Sequence, residues 1–186
     1  SNSPFAIIDF SNLIFKYLSS NIKPYQQLII LCIGTDRSTG DSLGPLIGHK
    51  LMPYTSLYNQ VYLLGTLEEP VHAKNLRDSM KKIDDKYPKA FILAIDASLG
   101  NFDKVGYINI KNGPLKPGLG VNKELPAVGD MSITGVVNVG GIMEYIVLQN
   151  TRLNLVMNMA NVIARGINRA ILKLPNRNYK GDIRNS

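Results

Sequence analysis

The stretch Leu28-Ile-Ile-Leu-Cys-Ile-Gly-Thr-Asp-Arg-Ser-Thr-Gly-Asp-Ser-Leu-Gly-Pro45 decides the fold. Its first six residues are apolar without a break, the pattern of a strand covered on both faces. A polar loop over 34–42, punctuated by Gly34 and Gly40, follows. Leu43, Leu46, Ile47 and Leu51 then mark a short amphipathic helix, with Pro45 in its first turn, where a missing N–H costs little. Open α/β sheets bind ligands and do chemistry where such loops leave the carboxyl ends of strands. A second apolar run, 90–95, closes in the same way on Asp96-Ala97-Ser98. Asp41 and Asp96 are therefore expected to meet at one sheet edge.

The flanking sequence extends this pattern. Phe10, Leu13, Ile14, Tyr17 and Leu18 share one helical face over residues 4–19, a packing helix ended by Pro24. Val61–Leu64 reads as a strand, with 65–70 as its loop. Ala73, Leu76, Met80, Ile83 and Tyr87 form the stripe of the next helix. Residues 105–110 alternate more weakly and suit an antiparallel edge strand. The segment 111–129, rich in Pro and Gly, reads as a long loop of the kind often tied to function. Asp130 is placed to cap a helix from Ser132, and 144–148 reads as a last strand. Val156, Met159, Ile163, Ile167, Ala170, Ile171 and Leu174 give a long terminal helix stopped by Pro175. The order β-α-β-α-β-β argues for an α/β fold, a largely parallel sheet with helices on both faces. Residues 4–175 form one domain, and 176–186 a basic polar tail.

The bulk properties narrow the function. The 186 residues are 45% hydrophobic and 19% charged, ordinary for a globular protein that buries its own core. The single cysteine, Cys32, cannot form an internal disulfide and lies in an apolar run, which suits an inert thiol in a reducing compartment. No apolar stretch approaches the roughly 20 residues needed to span a bilayer. The N-terminus lacks a signal-peptide layout, so a cytoplasmic protein is expected. Net charge is +7, but the basic residues are scattered. A basic tail with Arg177, Lys180 and Arg184 accounts for much of the excess, and specific nucleic-acid binding is not expected.

The loop chemistry excludes nucleotides. A phosphate loop needs a Gly-Lys-Ser/Thr ending, and a dinucleotide fingerprint needs Gly-x-Gly-x-x-Gly; neither is present. An acidic residue at 41 would also repel a phosphate at the helix start. Carboxylates fit better. Asp41 could be a helix cap, a common role for Asp. Asp96, after six apolar residues, carries a buried charge that must be paired, hydrogen-bonded or functional. Two carboxylates at neighbouring strand ends can split their pKa values into a general base and a general acid. They could equally hold a divalent cation, given a third ligand, although the sequence requires no cofactor. His49 and His72 lack metal-ligand spacing and read as surface residues. Serine catalysis lacks its Gly-x-Ser-x-Gly elbow.

Four segments together resemble a known family. They are Cys-Ile-Gly-Thr-Asp-Arg-Ser-Thr-Gly-Asp-Ser-Leu-Gly-Pro (32–45), Ala-Ile-Asp-Ala-Ser-Leu-Gly (94–100), Lys-Pro-Gly-Leu-Gly-Val-Asn-Lys-Glu-Leu-Pro (116–126) and Gly-Asp-Met-Ser-Ile-Thr-Gly (129–135). They look like the YyaC-type spore protease family of spore-forming bacteria. That family resembles the germination protease of small spore proteins and, more distantly, the hydrogenase maturation endopeptidases. The resemblance implies a three-layer α/β/α sandwich of the phosphorylase/hydrolase kind, with a mostly parallel, mixed sheet and 144–148 as a strand. It implies Asp41 and Asp96 as a catalytic pair for peptide-bond hydrolysis in sporulation or germination. The implied partner is a protein or peptide substrate, small spore proteins among them. In the hydrogenase endopeptidases the same positions bind nickel of the substrate with a histidine. Met131-Ser-Ile-Thr134 supplies none, so hydrogenase maturation is not expected. A non-catalytic binding protein on the same scaffold, or a metal-dependent hydrolase, is the alternative.

Overall fold

The computed structural model describes residues 5–117 and 125–175. The expected basic tail and the middle of the 116–126 motif lie outside them. Helix α1 (Ala6–Asn21) precedes strand β1 (Leu28–Cys32), and a 3-10 turn (Gly40–Ser42) leads into α2 (Leu43–Thr55). Then come β2 (Val61–Leu64), α3 (Leu76–Lys86), β3 (Phe91–Gly100) and, after a second 3-10 turn, β4 (Ile108–Asn112). Strand β5 (Met131–Val139) and helices α4 (Glu144–Gln149) and α5 (Leu153–Leu172) complete the chain.

The five strands are ordered β2-β1-β3-β5-β4. Strand β1 runs parallel to β2 and β3, β3 runs parallel to β5, and only the edge strand β4 is antiparallel. The chain leaves β1 in one direction to reach β2 and returns past it to β3. Right-handed crossovers then force α2 and α3 onto opposite faces. The core divides accordingly. Leu28, Ile30 and Cys32 face the layer of α1, α2 and α5, where Ile14, Ile47 and Ile163 are fully buried. Ile29, Leu31 and Ile33 face α3, against Leu76 and Ile83. The result is a three-layer α/β/α sandwich.

The structure corrects four sequence expectations. Strand β3 does not end at Ile95 but runs to Gly100, because β5 continues beside it and takes up its backbone groups from Asp96↔Thr134 to Gly100↔Val139. Residues 131–139 are a strand, not a helix: Met131, Ile133 and Val137 point to the α5 layer. At Gly135 a Cβ would collide with Leu43 and Met159. Asp130 therefore caps nothing. Its Oδ2 accepts the Ile92 N–H at 2.8 Å and its own N–H donates to the Ile92 carbonyl at 2.8 Å, tying β3 to the entry of β5. Residues 144–148 are helical, within α4. The antiparallel edge strand is as expected, shifted to 108–112.

Helix α2 lies unusually close to the sheet edge. A Cβ on Gly44 would strike the backbone of Ile33, and one on Gly48 the carbonyl of Gly65. Neither obstacle is a side chain that could rotate away. Gly44→Ala is therefore expected to destabilise the fold by about 2 kcal/mol or more, at the upper end of overpacking costs. Urea unfolding measures it; a loss below about 0.5 kcal/mol, the ordinary scatter of surface substitutions, would contradict this contact.

Candidate active site

Strand β1 stops while β3 goes on, and the site lies in the gap. The Ile33 N–H donates to the Ile95 carbonyl at 2.7 Å. Ile33 then bridges Val71, and the Gly34 N–H donates to the Val71 carbonyl at 2.8 Å, so the chain turns from β3 toward the loop after β2. Asp96, the next residue of β3, loses its neighbour on that side. Strand alternation sets it on the face of Ile92 and Ala94, beneath the α3 layer. Asp41 comes from the 3-10 turn. The 34–42 loop is closed by the Thr35 N–H, which donates to the Asp41 carbonyl at 3.1 Å. Ser42 Oγ donates to the Thr39 carbonyl at 2.6 Å.

Asp41 and Asp96 line one cavity of about 130 Å³, together with Ser38, His72, Tyr145 and Leu148. Asp96 is 6% exposed. Burial holds its carboxyl well above the usual range, and the negative charge of Asp41 raises it further. The Ala97 N–H, donating to Asp96 Oδ1 at 2.8 Å, opposes this only in part. Burial also raises Asp41, but a Thr35 amide hydrogen bond and the charge of His72 pull it back. Asp41 therefore ionises first, and Asp96 keeps the proton of the pair.

The pairing expected from the sequence is present, but two local readings change. Asp41 is not a helix cap: Ser42 occupies that position of α2, and no side-chain cap bond forms there. His72 is no surface helix residue. It lies in the loop between β2 and α3, half-buried against the acidic pair. Its N–H donates to Asn75 Oδ1 at 2.8 Å, and Asn75 Nδ2 donates to the Pro70 carbonyl at 3.0 Å, which fixes the loop. The sequence did carry a signal, since the 65–70 loop leaves the same carboxyl edge as the other two. His49 is exposed on α2. Ser38, buried in the cavity wall, has an Oγ without a hydrogen-bond partner among the described residues. Such a hydroxyl costs about 1–3 kcal/mol. Cys32 is fully buried, and burial pushes its thiol up, in keeping with an inert residue. Among the described residues no three His, Cys, Asp or Glu side chains form a group able to hold a metal ion. None of the described helices is long and apolar enough to cross a membrane.

The same scaffold occurs in a solved [NiFe] hydrogenase maturation protease, HycI, from Thermococcus kodakarensis. The match covers 83% of this chain and 98% of that one, with a TM-score of 0.52 and 16% identity, a likeness of fold. In sequence, the chain is 55% identical over 152 residues to the uncharacterized protein YyaC of Bacillus subtilis, covering 81% of this chain and 73% of that protein. A family model matches residues 2–166, and the chain belongs to that family, described as "Protein of unknown function (DUF1256)".

Proposed function

We propose that this protein is an endopeptidase-like hydrolase of sporulation or germination, cleaving peptide bonds with Asp41 as general base and Asp96 as general acid. The observation that carries the reading is two aspartates lining one small cavity in unequal electrostatic surroundings. The protease-like scaffold supports it.

Ionised Asp41 takes a proton from water as its oxygen attacks the scissile carbonyl carbon. The carbonyl electron pair moves to oxygen, forming a tetrahedral intermediate. As the C–N bond breaks, the Asp96 carboxyl gives its proton to the leaving nitrogen. Transfer of the proton gained by Asp41 to Asp96 then restores the starting state. The net reaction consumes one water and releases an acid and an amine.

The full chain, offered small spore proteins and denatured polypeptides, is expected to cleave them. Asp41→Asn removes the base and Asp96→Asn the proton donor, so each is expected to lower kcat by at least about 10²-fold. Cleavage unchanged in both variants removes the pair from the mechanism. Cleavage lost to a chelator and restored by one divalent ion points to a metal-assisted hydrolase instead. No cleavage at all favours a binding protein on this scaffold.

Activity requires Asp41 ionised and Asp96 protonated, so the pH–rate profile is expected to be bell-shaped. Burial raises both groups, so both limbs shift upward, and the alkaline limb, set by Asp96, lies well above the ordinary carboxylate value. A profile whose alkaline limb falls near pH 4 would contradict the assignment.

The same shift has a stability consequence. Native Asp96 keeps a proton that the unfolded chain loses above about pH 3.9. Stability therefore falls as pH rises from that value to the raised native one. Asp96→Asn is expected to raise Tm at neutral pH, by about 2–4 °C per kcal/mol relieved in a domain of this size. The gain should shrink toward pH 4. Equal Tm values for variant and parent at neutral pH would contradict a strained Asp96.

A further inference from the structure

The two side walls of the cavity differ in character. Asp41 follows β1 and Asp96 lies on β3, which are neighbours in the order β2-β1-β3-β5, so the segments after β2 and β5 flank the pair. His72 and Ala73 come from the first segment, Tyr145 and Leu148 from the second. His72 also lines a polar groove of about 450 Å³, together with Glu69, Asn75, Ser79 and Lys82. The α4 wall is apolar. Within five residues Ile142 is 89% exposed, Met143 64%, Tyr145 60% and Ile146 44%. Glu144, half-buried, is the only charged residue among 140–148, so this face has little to offer a charged partner. Single exposed apolar side chains are ordinary, but four close together mark a contact surface.

The fold does not need this exposure. Helix α4 is held from its other end, where Leu148 is buried so close to Gly40 that a Cβ there would strike it. Thr151 Oγ1 donates to the Val147 carbonyl at 2.9 Å, and Asn138 Nδ2 donates to Thr151 Oγ1 at 3.2 Å. Met143, just before the helix, has φ 59° and ψ 41°, a left-handed conformation that residues other than Gly adopt at a cost. Its side chain is exposed, so burial in the free protein does not offset that cost.

Tyr145 joins this face to the chemistry, since it lines the cavity with the two aspartates and is exposed outside it. Gln149 Nε2 donates to its Oη at 2.8 Å and holds it on the helix. The cavity, at about 130 Å³, is well below the roughly 300–1,000 Å³ of sites that enclose a whole ligand. A polypeptide with its scissile group there has its neighbouring residues outside, and a chain leaving past Tyr145 meets the apolar face. A second copy of this chain seated on that face would close the same way in.

We propose that Ile142, Met143, Tyr145 and Ile146 form a specificity subsite for large apolar side chains of an extended substrate polypeptide, on one side of the scissile bond. The assignment deepens the hydrolase reading above and rests on it. The substrate class is an unfolded or disordered segment, because folded proteins bury most such side chains. Burying them against α4 supplies binding that is the same before and during the reaction, so it acts on KM and not on kcat. On the side of the polar groove no apolar preference is expected.

The test uses the full chain, denatured casein and a pair of peptides. Cut sites in casein, mapped by mass spectrometry, are expected to carry a large apolar residue at one fixed position on one side of the bond and varied residues on the other. The peptides differ only in Leu or Ser at that position. Ile142→Ser with Ile146→Ser is expected to raise KM for the Leu peptide by about tenfold or more, with kcat within about threefold of the parent. KM for the Ser peptide and the Tm should not move. Should Ile146→Ser lower the Tm, Ile142→Ser alone, at the most exposed position, carries the same comparison. Leu172→Ser, at an exposed apolar residue that ends α5, should leave both peptides unaffected. Equal KM for the Leu peptide in parent and double variant, or cut sites without an apolar preference, would overturn the proposal. So would a dimeric parent that the double variant makes monomeric with KM unchanged, since the face would then join two copies. If the parent cuts nothing, the hydrolase reading falls and fluorescence anisotropy of the labelled Leu peptide decides the subsite. Binding at least about tenfold weaker in the double variant keeps a polypeptide-binding role; equal or absent binding removes it.

Discussion

Asp41 and Asp96 share one small cavity, and the second negative charge there costs more than the first. The other features of the site follow from that constraint. Neighbouring carboxylates resolve the conflict by sharing a proton, and their surroundings decide which one keeps it. Asp41 has the Thr35 amide and His72 to favour its charge. Asp96 has only the adjacent Ala97 amide against deeper burial. The asymmetry is built from backbone position more than from side-chain pairing. Among the described residues the one ion pair is Lys104–Asp103, between two neighbours exposed on the surface.

The fold creates this arrangement by ending one central strand early. Strand β1 is paired on both sides through Leu31, then turns to Val71, while β3 continues with β5 as its remaining partner. That mismatch opens space at a sheet edge without leaving β3 unsupported. Close packing of α2, through Gly44 and Gly48, then fixes the 3-10 turn that carries Asp41. The cavity is kept at some expense of stability, in a buried carboxyl and an orphaned hydroxyl. Such costs are common where stability and function compete.

Much of the scaffold was legible in the sequence because its signals are local. The uninterrupted apolar runs at 28–33 and 90–95 identify central strands, and the long stripe of α5 identifies a helix. Asp41 and Asp96 could be paired from the loop chemistry alone. The misreadings arose where tertiary packing outweighed local pattern. In β5, Ser132, Thr134 and Gly135 dilute the strand signal, and Asp130 imitates a helix cap while holding β3. In α4, Tyr145, Ile146 and Val147 have strand-like propensity but form one and a half turns of helix over the cavity. Ser38 and His72 were missed for another reason. Ser38 lies three residues before Asp41 and His72 just after the 65–70 loop, but only the fold brings both to one cavity with Asp96.

Carbon-13 NMR titration of the aspartate carboxyls tests the central claim most directly, because it reads each proton separately without needing a substrate. Asp96 is expected to titrate well above the ordinary carboxylate range and Asp41 below Asp96, with Asp41→Asn lowering the Asp96 value by removing its charged neighbour. Two independent titrations near pH 4, with Asp96 unmoved in Asp41→Asn, would contradict it.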